Sequence, residues 1–330
     1  MMLGGLALVS IASHAAASGL ALMVPAYFYP SPGSDWDRLA AAASRVPLVA
    51  IMNPASGPGN ATVADPQYTR AIRAVRQAGG RITGYVSTAY GKRPVNDAKA
   101  DIRRYHDLYA LDGFFLDEMA NDGGTVTADY YSELYGEIRR LKPTYHVTGN
   151  PGTQTQEVYL SRPTVDTVVT FENGSGYAGT AIEAWNRRYP SHRFCHLLHS
   201  VPREDELTRA VALAQQRNAG FLFVTDDTLP NPWDRLPSYW DGQVQQVQDA
   251  NRDAADSSPP RLDLQRRGDG QGRMELEGPA GRYVIARSAA LSALPTWTPL
   301  ATNLTFTGQW ALEPILWIAD PAAYFRVTTE

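Results

Sequence analysis

The sequence has one cysteine, Cys195, which rules out an intrachain disulfide and a Cys-ligated structural zinc. In the run "RFCHLL" that thiol reads as a small buried hydrophobe. Basic residues are scattered, and Lys+Arg 30 against Asp+Glu 34 gives a net charge of −4. No cationic stretch exists to follow a phosphate backbone, so nucleic acid is excluded as a partner. Phosphate fingerprints are missing as well. The first strand candidate, "MVPAYFYP", runs into "SPGSDW", which has neither GxGxxG spacing nor a Walker-type loop, and no nucleotide cofactor is expected. No HExxH or comparable spacing supports a metal on His199, Asp226 and Asp227, so no metal is expected either. Past the amino terminus no apolar run reaches the roughly 18 residues of a membrane span.

The amino terminus itself, "MMLGGLALVSIASHAAASG", has an apolar stretch from Leu3 to Ala12 and then Ala15-Ala16-Ala17. Small residues behind a short apolar core suit signal-peptidase cleavage, although no Lys or Arg lies near the start. Residues 1–19 are therefore expected to be a secretory signal. The mature protein is expected to be soluble, monomeric and extracytoplasmic.

From Leu20 onward, short apolar runs alternate with longer amphipathic stretches. The strand candidates are "LALMVPAYFYP", "PLVAIMNP", "RITGYVSTAYG", "DGFFLDEMA", "YHVTGNPG", "DTVVTFENG", "RFCHLLHSV" and "GFLFVTDD". Helix candidates lie between them at Asp35 to Val46, Asp65 to Gln77, Asn96 to Tyr109, Thr127 to Leu141 and Glu204 to Asn218. Several open on a capping residue and several are followed by Gly or Pro. This α/β rhythm predicts a (β/α)8 TIM barrel over residues 20–250, ahead of an open doubly wound sheet. The stretch 251–260, "NRDAADSSPP", reads as a linker. Residues 261–330 alternate apolar and polar with frequent turn signals, which predicts a small C-terminal all-β sandwich. Its Trp297, Trp310 and Trp317 either fill the core or form a sugar-stacking face; a domain this small favours the core.

Barrel active sites form at the carboxyl ends of the strands, and polar residues accumulate there. The first strand ends in Tyr27 and Tyr29, the second in Asn53, the third in Tyr85 and Tyr90, and the fourth in Asp117 and Glu118. Asn150 follows the fifth, Glu172 and Asn173 the sixth, His199 the seventh, and Asp226 and Asp227 the eighth. Carboxylates, amides and tyrosines with no thiol, phosphate loop or dense His cluster suit glycoside hydrolysis. One carboxyl group then protonates the leaving oxygen while another, ionised, attacks the anomeric carbon, activates water or steadies an oxocarbenium-like centre. Asp117, Glu118 and Glu172 form the expected catalytic set. Strand parity sets Asp117 and Glu118 on opposite faces, so either Glu118 lies on the loop rim or a bulge turns both inward.

The ordered motifs "VPAYFYP", "VAIMNPASGPG", "GYVSTAYG", "GFFLDEMAND", "NPG" and "FENG" resemble those of the spherulation-specific family 4 proteins, glycoside hydrolase family 135, over roughly residues 22 to 245. The resemblance implies a secreted (β/α)8 hydrolase that cuts galactosamine-containing polysaccharide, with endo-cleavage of α-1,4-linked N-acetylgalactosamine in fungal members. It places the family's acidic pair on Asp117 and Glu118 and its later acid on Glu172. Tyr27, Tyr85, Tyr90, Asn53 and Asn150 would line the groove, and Tyr29, His199 and Asp226 are further candidates for substrate contact. The C-terminal β region lies outside the family barrel. Two other readings are a non-catalytic glycan-binding barrel and a metal-dependent amino-sugar deacetylase.

Overall fold

A computed structural model of the chain describes residues 19–257 and five later strands. The chain divides into a unit spanning Ser18–Ala250 and another that takes in Asn251–Glu330. Residues 1–18 of the expected signal segment and Trp297, Trp310 and Trp317 lie outside the described residues.

The first unit is built on β1 (Ala21–Ala26), β2 (Leu48–Met52), β3 (Arg81–Ser87), β4 (Gly113–Asp117), β5 (His146–Gly149), β6 (Thr167–Asn173), β7 (Phe194–Leu198) and β8 (Phe221–Val224). They form a closed barrel in chain order. Every neighbouring pair is parallel, and β8 returns to β1 through Ala21 opposite Phe221. Continuous apolar runs such as "ALMVPA" and "LVAIM" are buried along their whole length. That is how a parallel strand covered on both faces must read.

The helices are α1 (Asp35–Ala43), α2 (Pro66–Gln77), α3 (Val95–Leu108), α4 (Thr125–Leu141), the short α5 (Val158–Ser161), α6 (Glu204–Gln216) and α7 (Trp240–Ser257). Each of the first four buries a stripe at helical spacing, as Tyr68, Ala71, Ile72 and Val75 do on α2. That helix starts where it does because Asp65 accepts a hydrogen bond from the Gln67 N–H at 2.7 Å and Pro66 occupies the first turn.

Two crossovers depart from the βα rhythm. After β5 only α5 forms, and Pro163 follows it closely. After β6 there is no α-helix but three 3₁₀ turns at Tyr177–Gly179, Ala184–Arg188 and Ser191–Arg193; Gly174, Gly176, Gly179 and Pro190 punctuate this segment.

The expected linker over 251–260 needs correction, since α7 runs on to Ser257. Its acidic and alanine-bearing residues continue the helix that far, and residues 258–260 lie outside the described residues. Beyond it, β9 (Arg261–Arg266) pairs with β10 (Gly272–Glu277), and β11 (Gly281–Ser288) lies between β12 (Thr298–Phe306) and β13 (Tyr324–Thr329). All these pairings are antiparallel, in keeping with the all-β character expected there. No described helix is long and apolar enough to cross a membrane.

Candidate active site

β4 ends at Asp117, and the next residue leaves the strand altogether. Glu118 has φ 50, a left-handed conformation that a non-glycine residue adopts at a cost of about 1–2 kcal/mol. This turn settles the parity question without a bulge. Asp117 keeps the facing dictated by the pleat, and the Glu118 N–H lies on the side of the Asp117 carboxylate, favouring its charged form.

The turn is held from the neighbouring strand end. The Thr88 N–H donates to the Asp117 carbonyl at 2.9 Å, and the Tyr90 N–H donates to the Glu118 carbonyl at 2.6 Å. The Thr88 hydroxyl lies 2.9 Å from the first of those carbonyls and 2.8 Å from the second. Its one proton faces them, which leaves the Tyr131 hydroxyl of α4 to donate to Thr88 at 2.9 Å. Tyr131 in turn accepts from the Ala120 N–H at 2.9 Å.

Asn150 joins two of the three acids. Its Nδ2 donates to Asp117 Oδ1 at 2.7 Å and to Glu172 Oε2 at 2.6 Å. Asn150 is itself fixed, because its N–H donates to the Leu116 carbonyl and its carbonyl accepts from Met119, each at 2.8 Å. Gly149 before it has no room for a side chain: a Cβ there would lie 2.3 Å from Met119 Sδ. Tyr85 turns its hydroxyl toward Asp117, and the Tyr27 ring meets Tyr85 edge-on at 5.5 Å. The Trp233 indole, on the loop after β8, turns its N–H toward Glu172. His199 stands against that indole at 5.9 Å.

This environment separates the acids. Burial, then the charge of Asp117, pushes Glu172 up to about 7 against the donors Asn150 and Trp233. Burial also raises Asp117, opposed by the Tyr85 hydroxyl, the Glu118 N–H and Asn150. Starting from a lower ordinary value and meeting more donors, Asp117 ionises first. Desolvation, then the Asp117 charge, holds Tyr27 and Tyr85 well above the usual phenol range, so both remain neutral donors. Burial lowers His199, which leaves the imidazole uncharged at neutral pH.

Several candidates lie away from this cluster or are engaged elsewhere. Asn53 Oδ1 accepts from the Gly57 N–H at 2.9 Å and closes a turn in which Gly57 takes φ 141. Tyr29 is 54% exposed, and its hydroxyl donates to Asp65 at 3.0 Å. Tyr90 is 58% exposed on the rim. Asp226 is held by Arg235 at 2.8 Å and by the Ser238 N–H at 3.2 Å; burial works against ionisation there, and these donors outweigh it. Among the described residues, no three His, Cys, Asp or Glu side chains are grouped to hold a metal ion.

Ser87, Thr88 and Trp233 escaped the sequence reading. Ser87 was findable, since it shares the parity of Tyr85 on β3 and so reaches the same side. Trp233 follows Asn231 and Pro232, both turn formers, and nothing local shows that its indole returns to β6.

A family model described as spherulation-specific family 4 matches residues 21–247. Spherulin-4 of Physarum polycephalum is 32% identical over 215 residues, 62% of this chain and 63% of that protein. The chain thus spans less than two thirds of that relative's length. Among solved structures, Aspergillus clavatus Sph3 in complex with GalNAc aligns at a TM-score of 0.62 with 27% identity, covering 70% of this chain and 98% of that one. The motifs, the barrel and these matches agree over the same residues, and the chain belongs to the spherulation-specific family 4.

Proposed function

We propose that the protein is a glycoside hydrolase that cuts within a galactosamine-containing polysaccharide, with α-1,4-linked N-acetylgalactosamine as the unit recognised. The observation that carries this reading is the pair of carboxyl groups joined by one amide: Asp117 and Glu172 each bond the same Asn150 nitrogen. The GalNAc present in the Aspergillus clavatus structure supports the choice of sugar.

The chemistry follows from the two environments. Glu172, pushed up to about 7, keeps its proton in mildly acidic water and donates it to the leaving oxygen. Asp117, ionised first, faces the positive charge that develops at the anomeric carbon. Because both bonded oxygens lie within 2.7 Å of a single nitrogen, their separation cannot exceed the two bonds laid end to end. Inverting enzymes hold their carboxyl groups about 6.5–9.5 Å apart to admit a water, whereas about 5–5.5 Å suits direct attack by a carboxylate. The shorter spacing favours Asp117 as the attacking group, or as the group that orients an acetamido oxygen for attack. The neutral Tyr27 hydroxyl presents a donor to the sugar, and the rings of Tyr27 and Tyr85 present their edges. Export through the amino-terminal segment fits action on a polysaccharide outside the cell and belongs to the same proposal.

The test is product analysis by mass spectrometry after incubation with purified galactosamine-rich polysaccharide, beside Glu172→Gln. Oligosaccharides from the wild type and none from the variant are expected. Equal release from both would remove Glu172 from the chemistry, and no release from either would overturn the assignment.

A further inference from the structure

Glu118 lies outside the Asn150 bridge, and its surroundings differ in kind from those of the other two acids. The Ser87 hydroxyl donates to Glu118 Oε2 at 2.5 Å. The other carboxylate oxygen accepts no hydrogen bond from any described residue and is not among the buried polar atoms. Below the carboxylate, the backbone is fixed in its left-handed turn by Thr88 and Tyr90. Ser87 is anchored too, because its carbonyl accepts from Arg93 at 3.0 Å and Arg93 pairs with Asp101 at 2.6 Å. A glutamate at a barrel mouth ordinarily samples several rotamers, and ordering such a side chain costs up to about 2 kcal/mol. Here the backbone and one oxygen are already held, and the remaining oxygen is open.

We propose that Ser87 and Glu118 form a recognition pair, in which Ser87 fixes one carboxylate oxygen so that the other accepts a hydrogen bond from a donor on the bound sugar, while proton transfer belongs to Asp117 and Glu172. Ser87 is then a positioning residue and Glu118 a specificity-determining one. An ionised carboxylate can only accept, so its complement is an N–H or O–H: the amide N–H of an N-acylated amino sugar, a ring hydroxyl, or the ammonium of a free amino sugar. These differ in charge, and Glu118→Gln tells them apart. A glutamine keeps a carbonyl acceptor for a neutral donor but removes the charge that holds an ammonium.

The inference rests on the glycosidase reading for its kinetic test, and direct binding separates the two. Isothermal titration and steady-state kinetics on N-acetylated and de-N-acetylated galactosamine oligosaccharides are compared for the wild type, Ser87→Ala, Ser87→Thr and Glu118→Gln. Ser87→Ala is expected to weaken binding and raise KM by about tenfold, the effect of one lost charge-assisted hydrogen bond. The loss falls on KM and not on kcat, and the pH dependence of kcat stays where it was. Ser87→Thr, which keeps the hydroxyl, restores much of the affinity. Adding Ser87→Ala to Glu118→Gln costs little further, because the pair acts as a unit. For Glu118→Gln, a loss confined to the de-N-acetylated ligand assigns the ammonium, a smaller loss confined to the N-acetylated ligand assigns the amide N–H, and small, similar losses on both assign a ring hydroxyl.

The proposal is overturned if Ser87→Ala leaves binding unchanged, or if Glu118→Gln abolishes kcat at unaltered affinity, which would make Glu118 a proton-transfer group. A wild type that binds these ligands without cleaving them defeats the glycosidase reading alone. One that does not bind them defeats both.

Discussion

Asn150 sets the protonation of two acids at once, because its amide offers one proton to each. Replacing it with alanine removes a stabilising donor from Asp117 and from Glu172, so both carboxyl groups shift further up. In the wild type, kcat/KM is expected to fall about tenfold per pH unit above about 7, where Glu172 loses its proton. In Asn150→Ala that alkaline limb moves to higher pH while the maximum falls, which a pH profile of initial rates measures directly. Asp117→Asn and Glu172→Gln should each lower turnover by at least about 10³-fold with an unchanged circular dichroism spectrum. Stability changes in the opposite sense. The folded-state pKa of Glu172 is raised from 4.5 to about 7, so its contribution is fully present below 4.5 and is lost as pH rises through 7. Glu172→Gln is therefore expected to be more stable than the wild type at pH 8, by about 1–3 kcal/mol, and no more stable at pH 4. Thermal melts at the two pH values check this.

At the level of elements, the parity of β3 and β4 and the ion pairs between helices carry most of the consequences. Glu137 on α4 is buried and accepts from Arg103 of α3 at 2.7 Å and from Arg140 at 2.8 Å. Its hydrogen bond from Arg140, then the one from Arg103, hold its pKa down from 4.5 to about 2 despite burial. The folded-state value is depressed, so this contribution is present above 4.5 and fades as pH falls towards 2. Glu137→Gln should cost about 1–2 kcal/mol at neutral pH, discounted for the exposure of both guanidinium groups, with the difference in Tm closing near pH 2. Gly149→Ala, which drives a methyl into Met119, should cost about 1–3 kcal/mol and lower activity by moving Asn150.

The sequence made these strands plain because each is an apolar run with a polar tip, and period-2 alternation set Asp117 and Glu118 on opposite faces. Glu118 was ambiguous for a physical reason. Its orientation depends on a left-handed turn clamped by Thr88 and Tyr131, and no local propensity encodes a hydrogen bond from α4. The sequence names no helix where α7 lies and reads as a linker over its last residues, because Asn251 to Ser257 are polar, yet they are helical once Trp240 and Val244 have docked on the barrel. Trp233 was missed because its partner lies on a strand distant in the chain.

Across the whole molecule, the barrel unit carries its own core. Leu22, Ile51, Phe114, Val168 and Phe223, drawn from strands around the ring, are fully buried within it. All the carboxylates and their donors lie in the same unit. A chain ending after Ser257 is therefore expected to melt in one cooperative transition and to match the 330-residue chain in the proposed release of reducing ends. Loss of cooperativity, seen by calorimetry, would show that the later strands are needed for folding.

Thr88 bears on how such a barrel can be altered. The loops that follow barrel strands are usually treated as separate cassettes, each exchangeable without regard to its neighbour. Here one hydroxyl joins the ends of β3 and β4 to a tyrosine on α4. A graft that replaced the loop after β3 alone would release the turn that presents Glu118, although every acid remained in place. The two loops and the first turns of α4 form one heritable module and would have to be transplanted together.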